Sequence, residues 1–162
     1  SSIYVVGHYE TDCGGCDTIN SYREIFDLVL KAHNSGYNVL FEGLLISGDA
    51  KRTFELFELG LPLKVIGIDI PLEVCVDSIN QRRRNSYEKR LEAKKEENKK
   101  REEKGQKLLK LPEWRGEVNP TNTTAKYNQI KKTMNWLAER GVDTSWHNRE
   151  EAFNVIKKEL GL

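Results

Sequence analysis

The chain has 162 residues, enough for one domain with a sizeable core and too few for two ordinary ones. Hydrophobic residues make up 38% and charged residues 31%, a soluble globular composition, and 26 basic against 25 acidic side chains leave a formal charge of +1 that singles out no partner. No run approaches the ~20 apolar residues of a membrane span, no signal-peptide pattern opens the chain, and three cysteines make no disulfide framework, so a cytoplasmic, reducing setting is expected.

Ile3-Tyr4-Val5-Val6-Gly7 is β-branched and aromatic and predicts a first strand. A polar, glycine-containing loop follows over residues 8–20. Ser21 then caps a helix whose apolar positions Ile25, Phe26, Leu28, Val29 and Ala32 recur near the helical period, and Gly36 ends it. Val39-Leu40-Phe41 predicts a second, buried strand closed by Glu42-Gly43. Residues 49–60 read as a short helix with Phe54, Leu56, Phe57 and Leu59 as its apolar positions. Residues 63–70 predict a third strand, and Pro71 suits the first position of the next helix.

That helix carries Leu72, Val74, Cys75, Val76 and Ile79 and runs into Arg82-Arg83-Arg84. A Glu/Lys-rich stretch with hardly any apolar face continues it until Gly105, Pro112 and Gly116 break it up. After a turn at Asn119-Pro120, residues 122–140 predict a helix presenting Tyr127, Ile130, Met134, Trp136 and Leu137 to the core. Residues 142–147 predict a fourth short strand, and Asn148 caps a last helix over residues 149–160. Strands alternating with helices argue an α/β fold, a parallel sheet flanked by helices, in a single domain over residues 1–162.

The even charge hides a lopsided distribution. Residues 82–110 hold 13 Lys/Arg and 6 Asp/Glu, a local +7, while the remainder is net −6. A basic arm on a mildly acidic body points to a polyanionic partner. Trp114 in that arm either stacks on a base or folds back on the protein.

In open parallel sheets, ligands bind beyond the carboxyl ends of the strands. Three such ends carry chemistry here: the loop from His8 through Thr18, the run Phe41-Glu42-Gly43-Leu44-Leu45-Ile46-Ser47, and Trp146-His147-Asn148-Arg149. An apolar strand that stops on a carboxylate is the Walker B arrangement, which sets Glu42 where it can hold Mg²⁺ directly or through water. Cys13-x-x-Cys16 reads as half a zinc site, a redox pair or a tight turn. With only Cys75, His8, His33 and His147 left as ligands, none at paired spacing, the turn is the better reading.

Ile68-Asp69-Ile70-Pro71-Leu72-Glu73 followed by Arg82-Arg83-Arg84 resembles the strand, helix and arginine-bearing lid of small P-loop kinases. Val39-Leu40-Phe41-Glu42-Gly43-Leu44-Leu45 is similar to the Walker B strand of the uridine-kinase type. Taken with Gly7-His8-Tyr9 and Cys13-Gly14-Gly15-Cys16-Asp17-Thr18-Ile19, the chain resembles the phage-associated P-loop kinases that phosphorylate 5-hydroxymethyluracil in DNA. The resemblance covers residues 3–162 and implies a P-loop NTPase fold of the nucleoside- and nucleotide-kinase type, with a long basic helical lid over about residues 82–120. It implies ATP and Mg²⁺ as cofactors, DNA or a nucleotide as substrate, and a phage-infected or prophage-bearing cell as setting.

The resemblance also assigns roles. Glu42 supports the metal, and Asp17, with Asp12 as the near alternative, accepts the proton of the attacking hydroxyl. Arg82, Arg83 and Arg84 belong to the catalytic lid. Arg82, Lys126, His147 and Asn148 are expected around the nucleotide, and Tyr9, Gly14, Gly15 and Thr18 around the acceptor. The phosphate loop G-x-x-x-x-G-K-[ST] does not occur, since no glycine is followed by lysine. In the kinases that the chain resembles, that loop follows a central strand, so a strand, P-loop and helix of roughly 30–50 residues are expected from a preceding segment or another chain. The alternatives are a nucleoside or nucleoside monophosphate kinase, and a non-catalytic nucleic-acid-binding module built on the basic arm.

Overall fold

A computed structural model describes residues 2–10 and 14–162. In chain order the elements are β1 (Ile3–Val5), α1 (Tyr22–Asn34), β2 (Asn38–Leu40), α2 (Ala50–Glu58), β3 (Lys64–Ile68), α3 (Leu72–Glu103), α4 (Pro120–Ala138), β4 (Asp143–His147) and α5 (Arg149–Leu160). They form a mixed α/β protein with parallel strands and five α-helices. Two compact units result: Ser1–Ile70 together with Ala125–Leu162, and Pro71–Thr124.

In the first unit β1 runs parallel to β2, with Tyr4 opposite Val39, and β3 runs parallel to β4, with Ile66 opposite Ser145. Among the described residues no ladder joins β2 to β3, so the strands form two pairs instead of one continuous sheet. Helix α1 connects the strands of the first pair. Helix α2 connects the two pairs, leaving one long edge of β2 and one of β3 without a strand partner. Parallel strands are normally covered on both faces. Here Val5 is 42% and Ile68 48% exposed.

The boundaries shift from expectation for local reasons. β1 stops at Val5 because the chain turns back at Gly7, although the Val6 N–H still donates to the Leu40 carbonyl at 3.0 Å. Pro71 sits one position outside its helix, with ψ 141°, so α3 begins at Leu72. Helix α4 starts at Pro120, two residues earlier than its periodicity predicts. Ser21, Asp49 and Asn148 each cap a helix by accepting the backbone N–H three residues on, and Glu151 completes a capping box on α5. Such caps contribute ~1 kcal/mol each.

The core centres on Val6, Cys16, Ile25, Val29, Ile46 and Leu56, with Phe26, Val39, Phe41 and Leu63 packed against it. Trp136, expected in the core, is only partly buried. Its ring meets Phe54 edge-on at 5.5 Å and carries the Arg140 guanidinium 3.7 Å from its centre. Gly67 on β3 gives the Trp146 ring of β4 its place: a Cβ there would lie 2.5 Å from the ring.

In the second unit, α3 runs unbroken for 32 residues, and residues 106–118 return along one of its sides. The Asn98 side chain accepts the Leu109 N–H at 2.7 Å and donates to the Leu109 carbonyl at 2.9 Å. Further along, Val118 N–H donates to Asn80 at 2.8 Å, Arg84 pairs with Glu117, and Trp114 packs edge-on against Tyr87 at 5.4 Å. The basic arm is thus a helix with an ordered strap, and Trp114 is folded back onto it.

Candidate active site at the ends of β1 and β2

Beyond β1 the chain bends at Gly7, where φ is +95° and a Cβ would lie 2.0 Å from the Gly15 carbonyl oxygen. His8 and Gly15 form an antiparallel bridge, and a short 3-10 turn, Cys16–Thr18, follows. Thr18 closes the loop on itself: its hydroxyl accepts the His8 N–H at 3.1 Å and donates to the Gly15 carbonyl at 2.7 Å. Expected as an acceptor contact, the Thr18 hydroxyl is engaged in shaping the loop.

This loop clasps the exit of β2. Cys16 N–H donates to the Glu42 carbonyl at 2.7 Å. Gly15 has φ +63°, and a Cβ on it would lie 2.1 Å from Glu42 Oε1, so the carboxylate of Glu42 rests where any other residue would put its side chain. Asp17 reaches across in the same way. One carboxylate oxygen accepts the Leu44 N–H at 2.8 Å and the other accepts the Leu45 N–H at 3.1 Å. Two of the three expected carboxylates therefore stand on one clasped pair of loops, with Glu42 against Gly15 and Asp17 beside Gly43.

Tyr9 completes the cluster. Its ring lies against Gly14, and burial, with the charge and hydrogen bond of Glu42 adding to it, pushes the phenol up to about 12. The residue is still 51% exposed. Burial likewise pushes the Cys16 thiol up to about 11, helped by the Glu42 and Asp17 charges and opposed by a hydrogen bond from the Glu42 backbone. A buried thiol held protonated at neutral pH is a packing residue and a poor metal ligand or nucleophile. Among the described residues no group of three or more His, Cys, Asp or Glu could hold a metal ion.

Lys126, on α4, approaches the same loops. Its ammonium would lie 2.7 Å from a Cβ on Gly48 and donates to Gln129 at 3.2 Å. Burial lowers its pKa, and the Asp17 charge works against that shift. This approach of α4 to the turn after β2 was not visible in the sequence; Gly48, just before the Asp49 cap, is its one local sign.

Asp12, with Thr11 and Cys13, lies outside the described residues. His147 ends β4, where its carbonyl accepts the Asp69 N–H at 2.8 Å, and the Asn148 side-chain oxygen is engaged in capping α5. Of the three lid arginines, Arg84 is paired with Glu117 and Arg83 donates to the Gly116 carbonyl at 3.5 Å, which leaves Arg82 exposed and without a partner among the described residues.

Short parallel strand pairs and five α-helices define the class, a mixed α/β protein, and two carboxylates and a glycine turn lie beyond the carboxyl ends of β1 and β2. The chain is 39% identical over 156 residues to the 5-hmdU DNA kinase of Pseudomonas phage PaMx11, a match that spans 96% of this chain and 69% of that protein. It belongs to that phage 5-hmdU DNA kinase family. No protein-family model matches the chain, and no solved structure matches it.

Proposed function

We propose that the chain is an ATP- and Mg²⁺-dependent kinase that phosphorylates the hydroxymethyl oxygen of 5-hydroxymethyluracil in DNA. The observation that carries this reading is the 39% identity across nearly the whole chain to a relative named for that activity. The clasped loops after β1 and β2 support it, because they bring two carboxylates to the side where α/β proteins bind ligands.

The donor set fits the expected metal. Mg²⁺ takes hard oxygen ligands, keeps several waters and binds through one or two carboxylates plus substrate phosphates. Glu42, which among the described residues belongs to no group of three or more His, Cys, Asp or Glu, offers a hard carboxylate oxygen of the kind Mg²⁺ takes. When bound, Mg²⁺-ATP supplies the γ-phosphoryl group and the countercharge for its transfer.

Within the chain, Glu42 offers the metal a carboxylate oxygen, steadied by the Tyr9 hydroxyl. Asp17 takes the proton of the acceptor hydroxyl as that oxygen forms the new phosphorus–oxygen bond. Its two backbone hydrogen bonds leave a lone pair on each oxygen and fix the carboxylate in place. Glu42 fills the space beside Gly15 and the Tyr9 ring that beside Gly14, so the half-exposed Tyr9 ring is what the loop offers a base to stack on. Lys126 balances the negative charge of the two loops from α4.

The ATP phosphates need a loop that these elements do not provide. We place it on a fifth parallel strand between β2 and β3. The unpartnered edges of those strands and the α2 crossover between them support that position. The test is an acceptor competition in the full-length protein: a duplex containing 5-hydroxymethyluracil against free 5-hydroxymethyl-deoxyuridine monophosphate. Phosphorylation of the duplex alone is expected. Preference for the free nucleotide would replace the reading with a nucleotide kinase.

A further inference from the structure

Lys64, Lys126 and Lys157 are partly buried, whereas the other lysines are exposed. Lys64 pairs with Glu159 and Asp143, and Lys157 lies over the Phe153 ring at 4.7 Å. Lys126, on α4, makes no ion pair among the described residues. The partner found for its ammonium is the neutral side chain of Gln129, at 3.2 Å. A partly desolvated ammonium without a counter-ion is a place for an anion.

Gly48 builds the seat of this side chain. It has no positive φ, so its backbone does not require glycine. A Cβ there would nevertheless lie 2.7 Å from the Lys126 ammonium and 2.8 Å from Gln129 Nε2. The missing side chain thus makes room for an ammonium and an amide NH₂ side by side. The turn that carries it, Ile46–Gly48, follows directly on Leu44 and Leu45, whose N–H groups hold Asp17. The Ser47 hydroxyl ties that turn to the Gly43 carbonyl at 2.6 Å. Lys126 therefore stands on the Asp17 side of the clasp. The Asp17 charge reaches it, whereas the Glu42 charge falls on Tyr9 and Cys16.

We propose that Lys126, with Gln129 beside it, binds the 5′-phosphate of the acceptor nucleotide within the DNA strand. The inference deepens the reading of Asp17 as the base toward 5-hydroxymethyluracil and rests on it. In an anti pyrimidine nucleotide the 5-substituent and the nucleotide's own 5′-phosphate lie on the same side. A base that faces the hydroxymethyl oxygen therefore brings that phosphate toward a neighbouring cation, while the 3′-phosphate lies beyond the sugar. The ammonium and the amide NH₂ offer donors to its two free oxygens. The ATP phosphates go with the metal, on the Glu42 side of the clasp.

Binding of fluorescent duplexes to the full-length protein, without ATP, tests the contact, with steady-state transfer measured alongside. The duplexes carry 5-hydroxymethyluracil with a natural backbone, with an uncharged methylphosphonate at its 5′ linkage, or with one at its 3′ linkage. The 5′ methylphosphonate is expected to weaken binding about tenfold, the low end for a charged hydrogen bond at a partly exposed site. Lys126→Met keeps the apolar stem and should abolish that 5′ penalty while leaving the effect of the 3′ group as it was. In transfer it should raise KM about tenfold and keep kcat. Gly48→Ala displaces the flexible ends of Lys126 and Gln129 without disturbing the backbone, and it should shrink the 5′ penalty too.

A 5′ penalty absent from the unmodified protein, or undiminished in Lys126→Met or Gly48→Ala, would overturn the contact. So would a lower kcat at unchanged KM, which would put Lys126 on the transferring phosphoryl group. Displacement of the duplex by an equal concentration of free 5-hydroxymethyl-deoxyuridine monophosphate would assign the phosphate to a nucleotide and overturn it as well. A 5′ penalty lost in Lys126→Met, but no transfer to any duplex, would sink the kinase and leave the contact standing. Transfer with the penalty intact in Lys126→Met would sink the contact alone.

Discussion

Replacing Gly15 with alanine presses directly on the clasp between the two loops. At φ 63° and ψ −146° the backbone lies in a region that side chains avoid, at a cost of about 1–3 kcal/mol. The new Cβ would also lie 2.1 Å from Glu42 Oε1 and 2.6 Å from the Glu42 carbonyl oxygen. The carboxylate can swing aside, but the carbonyl is backbone and already accepts Cys16 N–H at 2.7 Å, so relieving the overlap stretches that bond. Losing it adds about 1 kcal/mol, for a total of about 2–4 kcal/mol. For a chain of this size, that is a fall in Tm of roughly 5–15 °C.

Gly36→Ala is the control. Gly36 also has positive φ, at +84°, but nothing lies within 4 Å of its missing Cβ, so only the backbone cost of about 1–2 kcal/mol applies. Thermal unfolding followed by circular dichroism, paired with a Mg²⁺ titration of activity, reads both variants. Gly15→Ala is expected to lose more stability than Gly36→Ala and to need more Mg²⁺. Equal Tm values in the two variants, with an unchanged Mg²⁺ requirement, would refute the clasp around Glu42.

Three further outcomes follow from the same geometry. Asp17→Asn keeps one oxygen for either Leu44 or Leu45 but turns an NH₂ toward the other N–H, so it should cost about 1 kcal/mol of stability at this exposed site; a general-base role adds a loss of about 10²–10⁴-fold in single-turnover rate, and full turnover would leave Asp17 an anchor only. In an ultraviolet titration, one of the six tyrosines should lose its proton near 12, and Glu42→Gln should move it only part of the way back, because burial is the larger cause. The sign follows from a folded value raised above the ordinary 10: the Tyr9 contribution to stability is intact below pH 10, is lost between 10 and about 12, and disappears in Tyr9→Phe. Asn98→Ala removes both hydrogen bonds to Leu109 and should speed amide exchange there with little change in exchange at β3, whereas unaltered protection of Leu109 would mean the strap is held by other contacts.

The parts that sequence made legible are local ones. Asn148 followed three residues later by Glu151, Ser21 before an apolar helical repeat, and the β-branched runs at Val39 and Val65 each announce an element within a few residues of itself. The glycines and carboxylates of the site were also visible as loaded strand ends. What escaped depends on contacts across the chain. Asp17 meets the Leu44 and Leu45 N–H groups 27 and 28 residues away, and nothing near Asp17 announces them. The strap rests on Asn98 mimicking a backbone partner for Leu109, a role any surface Asn might lack or have. The gap between the two strand pairs is where the resemblance implies a central strand, whereas the apolar runs alone predict strands without saying which edges find a partner.

The most direct test is transfer of labelled γ-phosphate from ATP, by the full-length protein, to two duplexes that differ only in carrying 5-hydroxymethyluracil or thymine at one position. The account predicts label on the first duplex alone, dependent on Mg²⁺ and sharply reduced in Glu42→Gln. Label on both duplexes, on neither, or undiminished in Glu42→Gln would contradict it.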